Sequence, residues 1–265
     1  MIGGDECCSD ETGGDEIGDF AASGYAGYNE WKHWSGPFEC SQKLARNLAA
    51  EFKQIPLRDK HVLEIGFGNG GFLAWAKEQG AQVSGIEINP ELVQRGVAQG
   101  YAVRMADLEQ LANAGERYDV IVALDVFEHW STEQLIANLR HIAQMLSDGG
   151  IVLARFPNGH SPFGRIYQHG DFTHQSVLSI YKIRHLAVLT GLEIVRVSNA
   201  KRVPSKSGIV RAIRHGWRAL RRARIEILLG KLYGTPRLPL DPNLVVVMRK
   251  PTVNSSTHDN DGNRQ

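Results

Sequence analysis

Three carboxylates stand at intervals that suit a grip on one nucleoside-like molecule: Glu64, Glu87 and Asp107. Glu64 lies two residues before a glycine-rich turn in which Gly66, Gly68, Gly70 and Gly71 are interleaved with Phe67 and Asn69. Glycines there permit positive φ and let the backbone approach a ligand closely, and a helix opening after them offers free N–H groups to an anion. Gly66, Gly68 and Gly71 taken alone also satisfy the GxGxxG dinucleotide fingerprint. Glu87, followed by Ile88, falls where a carboxylate accepts both ribose hydroxyls, of NAD and of S-adenosylmethionine alike. Three features favour the methyl donor. Asp107 can accept the adenine amino group while Leu108 packs on the ring. Glu64 stands where a methionyl ammonium needs a counter-charge, a group that NAD lacks. Leu124 and Asp125 lead a third segment, Leu124 to His129, toward the sulfonium position.

A second set of groups suits proton transfer. Methyl transfer from a sulfonium is an in-line displacement, so positioning of the acceptor supplies much of the acceleration. A hydroxyl acceptor must also lose its proton, a task for a neutral histidine with an unperturbed pKa of about 6.5. His129 and His174 are the candidates, and Asp171, three residues before His174, can orient an imidazole or bind a sugar hydroxyl. Trp31 and Trp34, with His33, could close over the cofactor. No metal site is assigned, although Glu128 and His129 are adjacent donors and a divalent ion there stays open.

These residues need a frame. From Lys60 onward short apolar runs alternate with amphipathic stretches: HVLEIG, QVSGIEI, YAVRMAD, RYDVIVALD, GIVLARFP, LEIVRVSN and LVVVMRK read as strands. Between them GGFLAWAKEQG, NPELVQRGVAQG, TEQLIANLRHIAQMLSDGG and SVLSIYKIRHLAVLTG read as helices, and another is expected from about Cys40 to Phe52. Such alternation implies βαβ units and a parallel sheet with helices on both faces, an α/β doubly wound fold. Ligands bind such sheets outside the carboxyl ends of the strands, where the carboxylates above are expected to lie.

VLEIGFGNGGFLAW, GIEINPE, MADLE, YDVIVALDVFEHW and LSDGGIVL, in this order and spacing, resemble the motifs of class I S-adenosylmethionine-dependent methyltransferases. LDVFEHW resembles the small-molecule branch that includes the ubiquinone-biosynthesis O-methyltransferases. The loop FPNGHSPFGRIYQHGDFTHQSV is similar to a PN-x-x-SPF...YGD-x-TH signature of methyltransferases associated with surface-polysaccharide assembly, with His169 in place of the usual Tyr. The resemblance covers roughly Asn29 to Lys250. It implies a Rossmann-like, seven-stranded, mostly parallel sheet whose antiparallel last strand lies between strands five and six. It further implies cofactor contacts from Glu64, Gly66, Gly68, Gly70, Glu87, Asp107 and the Leu124–Asp125 backbone. The implied activity is O-methylation of a small-molecule, sugar or lipid-linked glycan acceptor. A nicotinamide-dependent oxidoreductase and an inactive cofactor-binding protein are the alternatives.

At 265 residues the chain suits one large domain, expected over residues 23–250. Residues 1–22, acidic and glycine-rich, and the polar residues 251–265 are expected to form no structure. The net charge of +1 conceals segregation: seven acids and no base precede Phe20, whereas eleven Lys or Arg and one acid lie between Lys201 and Arg237. Within an insertion at residues 200–242, Ile209, Ile213, Trp217 and Leu220 form one helical stripe beside Arg211, Arg214, Arg218, Arg221 and Arg222. A basic amphipathic helix with a Trp predicts peripheral contact of residues 207–230 with an anionic membrane. No nucleic-acid partner is expected, since no recognised reading module accompanies the charge. The three cysteines suggest free thiols, and the first residues are the reverse of a secretory signal, so a cytoplasmic setting is expected.

Overall fold

The computed structural model describes residues 27–203, 209–234 and 238–251, so the expected unstructured tails, but for Pro251, lie outside the described residues. The chain forms two compact units that divide after Ser35. In the first, helix α1 (Tyr28–Trp31) gathers aromatic rings: Trp31 and Trp34 meet Tyr28 edge-on at 5.4 and 5.7 Å.

The second unit holds a seven-stranded sheet: β1 (His61–Ile65), β2 (Gln82–Ile86), β3 (Ala102–Arg104), β4 (Tyr118–Leu124), β5 (Leu146–Pro157), β6 (Glu193–Asn199) and β7 (Asn243–Arg249). Their order is β3-β2-β1-β4-β5-β7-β6. The first five pair in parallel, and β7 runs antiparallel between β5 and β6, the arrangement that the family resemblance implies. Strand order reverses beside β1, which places the ligand-binding crevice after β1 and β4.

Side chains alternate across each strand, so the two faces carry separate cores. Val62, Val120, Val122, Leu153, Val245 and Val247 pack with Leu48 and Phe52 and with Phe72 and Trp75. These partners lie on or beside α2 (Gln42–Glu51) and α3 (Gly71–Glu78). Leu63, Ile121, Ala123, Val152, Phe156 and Met248 face the other way, against α6 (Thr132–Met145) and α8 (Ile180–Thr190). Each such large side chain contributes roughly 1.5–3 kcal/mol on burial. Phe127, Phe156, Leu139 and Met145 are wholly buried.

Local sequence sets the element ends. Ser131 caps α6 in a reciprocal capping box with Gln134, and Asn89 caps α4 (Pro90–Ala98), whose first residue is proline. Two elements differ from the sequence reading. The third strand stops at Arg104, because Asp107 caps a helix, α5 (Leu108–Asn113), that apolar periodicity did not reveal in so short a segment. The long helix ends at Met145 rather than at the following glycines, because Leu146 pairs with Tyr118 and Gly149 turns at φ +70°.

The basic insertion forms α9 (Ile209–Leu232). Its attachment is polar. Glu226, almost wholly buried, accepts from Asn199 Nδ2 at 2.8 Å and Leu240 N at 3.0 Å, and Arg222 Nη1 donates to Asp241 Oδ1 at 2.5 Å. Ile213, Trp217 and Leu220 of the expected stripe are exposed. Arg222, read from the sequence as part of the basic face expected to meet a membrane, is instead tied to the domain.

Candidate active site

The turn from β1 into α3 is built for close approach. Gly66, Gly68 and Gly70 all have left-handed φ, at +64°, +51° and +69°. A Cβ on Gly70 would stand 2.1 Å from the Phe38 ring, and one on Gly66 would stand 2.8 Å from Val126 Cγ2. Gly66 N donates to Ile86 O at 2.8 Å, fixing the turn against β2.

Glu87, at the end of β2, reaches across this turn. Its Oε2 accepts from Gly68 N at 3.0 Å, while Oε1 accepts from Ile88 N at 2.8 Å and Asn89 N at 3.2 Å. Burial nevertheless pushes its pKa up, against those three bonds. Glu64 is 3% exposed, and its Oε2 has no hydrogen-bond partner among the described residues. Burial, with the Glu87 charge added, drives the Glu64 carboxyl well above the ordinary carboxylate value. A buried acid held in this way needs a cation to ionise. Asp107 is exposed, with Oδ1 accepting from Gln110 N at 2.7 Å, and Leu108 beside it is buried. Ile88 is exposed.

At the end of β4, Asp125 adopts φ +60° and donates its N–H to Arg155 O at 2.7 Å. Its carboxylate takes both Nε and Nη2 of Arg155 from neighbouring β5. Sequence reasoning assigned Arg155 no role, although an arginine within an apolar strand was the available signal. The next turn carries Glu128, 1% exposed, whose carboxyl is raised by burial and by the Asp125 charge, against Arg155.

The three residues expected to move protons lie together. His129 Nδ1 is 2.8 Å from Thr173 Oγ1, which donates to Asp171 Oδ1 at 2.5 Å. Thr173 has one hydroxyl proton, so with that proton on Asp171 the His129 Nδ1–H must be the donor and Nε2 the basic nitrogen. His174 stands edge-on to His129 at 4.7 Å between ring centroids. Its side chain is 7% exposed, with Nδ1 3.1 Å from Gln168 O and Nε2 3.8 Å from Asp171 Oδ2 and 4.0 Å from Glu128 Oε1. Glu128, His129 and His174 present ligand atoms within 4.8 Å of one another, a set able to hold a metal ion. Other residues of this loop do structural work. Asn158 Nδ2 donates to Pro239 O and Asp241 O, and Ser161 Oγ to Leu240 O, locking the segment that enters β7.

The charge balance bears on which cofactor fits. Glu64 feels the charge of Glu87, Glu128 that of Asp125, and Arg155, which acts on both, is already paired with Asp125; this acidic setting favours a ligand carrying ammonium and sulfonium over an anionic pyrophosphate. The orphaned Glu64 oxygen and the glycine cradle fit S-adenosylmethionine. A family model described as "Methyltransferase domain" matches residues 36–197. The chain belongs to this methyltransferase family. The domain uses S-adenosylmethionine, and the nicotinamide alternative falls. Ubiquinone biosynthesis O-methyltransferase of Azorhizobium caulinodans is 34% identical over 119 residues, 42% of this chain and 46% of that protein. Its counterpart in Coxiella burnetii is 28% identical over 106 residues, 37% and 44% of the two chains. The chain thus spans about half the length of the curated relatives it matches. Among solved structures, a SAM-dependent methyltransferase from Archaeoglobus fulgidus aligns over 85% of this chain and 99% of its own, with TM-score 0.57 and 18% identity. Magnesium protoporphyrin IX methyltransferase from Synechocystis, solved with bound SAH, aligns over 89% and 100%, with TM-score 0.57 and 15% identity. At these identities the structures show the fold.

One pH dependence follows for the ligand-free methyltransferase. Glu64 and Glu128 keep their protons when folded at pH values where the unfolded chain has released them. Their contribution to stability is therefore full below the ordinary value of 4.5 and is lost as pH rises through the folded values. Chemical denaturation as pH is raised above 4.5 should show stability falling, and less steeply in Glu64→Gln. A steeper fall in that variant would contradict the assignment.

Proposed function

We propose that this methyltransferase methylates a hydroxyl oxygen of a small-molecule acceptor, with His129 as the base. The observation that carries the reading is the Asp171–Thr173–His129 chain, which directs the basic Nε2 away from its own hydrogen-bonded relay. When bound, the cofactor supplies an electrophilic methyl group on sulfur. Glu64 would hold its ammonium, Glu87 its ribose, and Asp107 with Leu108 its adenine; the Leu124–Asp125 backbone would flank the methionyl part. His129 takes the acceptor proton as the oxygen attacks, and Asp171 supports the resulting positive charge through Thr173. His174 packs on His129 and positions it.

The curated relatives support a small hydroxylated acceptor, as their printed names are ubiquinone biosynthesis O-methyltransferases. They lend no support to the sugar or lipid-linked glycan acceptor expected from the loop, whose Asn158 and Ser161 are engaged in locking β7. Incubation with S-[methyl-³H]adenosylmethionine and panels of phenols, catechols and sugars tests the proposal. Label should enter a phenolic or catecholic ether; label in sugars alone, or none with cofactor bound, would overturn it. A second reading is favoured by the approach of Glu128, His129 and His174: a divalent cation held there carries the acceptor oxygen. Loss of activity in EDTA, restored by Mg²⁺, selects this reading.

The exposed Ile213, Trp217 and Leu220 beside Arg218 and Arg221 support peripheral contact of α9 with an anionic membrane, at the cytoplasmic face. Vesicles with 30% anionic lipid (about three charged headgroups in ten) should co-sediment the wild type and release R218E/R221E. Equal pelleting of both would exclude the contact.

A further inference from the structure

Two recesses border α9 and share Arg218 and Arg222. One, of about 770 Å³, is walled largely by Phe163, Ile225, Leu229, Tyr233 and Leu238. The other, of about 670 Å³, is lined by Lys201, Arg202 and Ser198 beside the two shared arginines. The charges of the shared pair differ. Arg222 is paired with Asp241 and Glu226, and Glu226 Oε1 also accepts from Asn199 Nδ2 and the Leu240 N–H. Lys201, Arg202 and Arg218 make no ion pair among the described residues. Ser198 adds a buried Oγ that has no hydrogen-bond partner among them.

An apolar recess that opens at a cluster of unmatched cations complements a molecule with an anionic head and a hydrocarbon tail. We propose that the two recesses form one site for a lipid phosphate, a phosphate monoester on an alkyl or isoprenoid chain. The phosphate lies among Lys201, Arg202 and Arg218. The chain runs along Phe163, Ile225 and Leu229. Concavity favours a single molecule over a bilayer face, because a recess encloses one chain on several sides. Phe163 belongs to the loop that also carries Asp171 and His174, so a tail seated there lies against the loop of the acceptor site. The proposal is independent of the acceptor and shares Arg218 with the vesicle contact.

Calorimetry of the full chain with monomeric hexyl, octyl and decyl phosphate, each below its micellar concentration, tests the site. Affinity should rise about fourfold for each added methylene. Octyl glucoside and inorganic phosphate should each bind at least tenfold more weakly than octyl phosphate. R202E/R218E should lose at least tenfold in octyl phosphate affinity, and I225D should flatten the chain-length series, while both keep wild-type affinity for S-adenosylhomocysteine. That retained affinity reports an intact fold, and the chain-length series on the wild type stands without either variant. Any of three results would overturn the site: affinity independent of chain length, inorganic phosphate or octyl glucoside binding as tightly as octyl phosphate, or binding to anionic vesicles with none to the monomers.

Discussion

Replacing Glu64 with Gln is expected to weaken S-adenosylhomocysteine binding about 10- to 150-fold, the value of a charge-assisted hydrogen bond in a buried site. The same change should leave the ligand-free protein as stable as the wild type or more so. The two effects have one cause. Glu64 is buried, lacks a partner at Oε2, and is opposed by Glu87, so its charge costs free energy until a cation arrives. A merely structural glutamate would show the opposite pattern, with stability lost and affinity preserved. Thermal unfolding with and without ligand, alongside calorimetry, separates the two cases.

His129→Ala should lower kcat by about 100- to 10,000-fold, the usual range for a positioned general base. Its S-adenosylhomocysteine affinity should stay close to wild type, because none of the cofactor contacts assigned above is made by this ring. Thr173→Val should produce a smaller loss and change the pH profile, since it removes the acceptor that keeps the His129 proton on Nδ1. If His129→Ala retained wild-type kcat with a verified acceptor, the base would have to be sought elsewhere.

Much of this site could be read from the chain because a doubly wound sheet converts sequence spacing into spatial proximity. Glu64, Glu87 and Asp125 lie at or just past the ends of β1, β2 and β4, neighbours in the parallel part of the sheet, so residues far apart in sequence meet at its carboxyl edge. The glycine turn was legible for the same reason: only glycine tolerates its left-handed φ and the Phe38 ring packed against Gly70. Side-chain partnerships between strands were not legible. The Arg155–Asp125 pair depends on the β4–β5 register, and the Thr173–His129 bond on how a long loop folds back onto the β4 turn. Asn158 and Ser161 matched a functional signature by type, yet their hydrogen bonds are spent on the segment before β7. The apolar stripe of α9 was correctly placed on a helix. What attaches that helix was hidden, because a buried Glu226 and a paired Arg222, rather than the apolar stripe, tie it to the domain.

The identity of the ligand held at the glycine turn beside Glu64 and Glu87 decides most. Titration calorimetry of the wild-type chain with S-adenosylhomocysteine and, separately, with NAD addresses that point. One molecule of S-adenosylhomocysteine should bind per chain, with no measurable heat from NAD under the same conditions. Heat from NAD at the same stoichiometry, or none from S-adenosylhomocysteine, would contradict it.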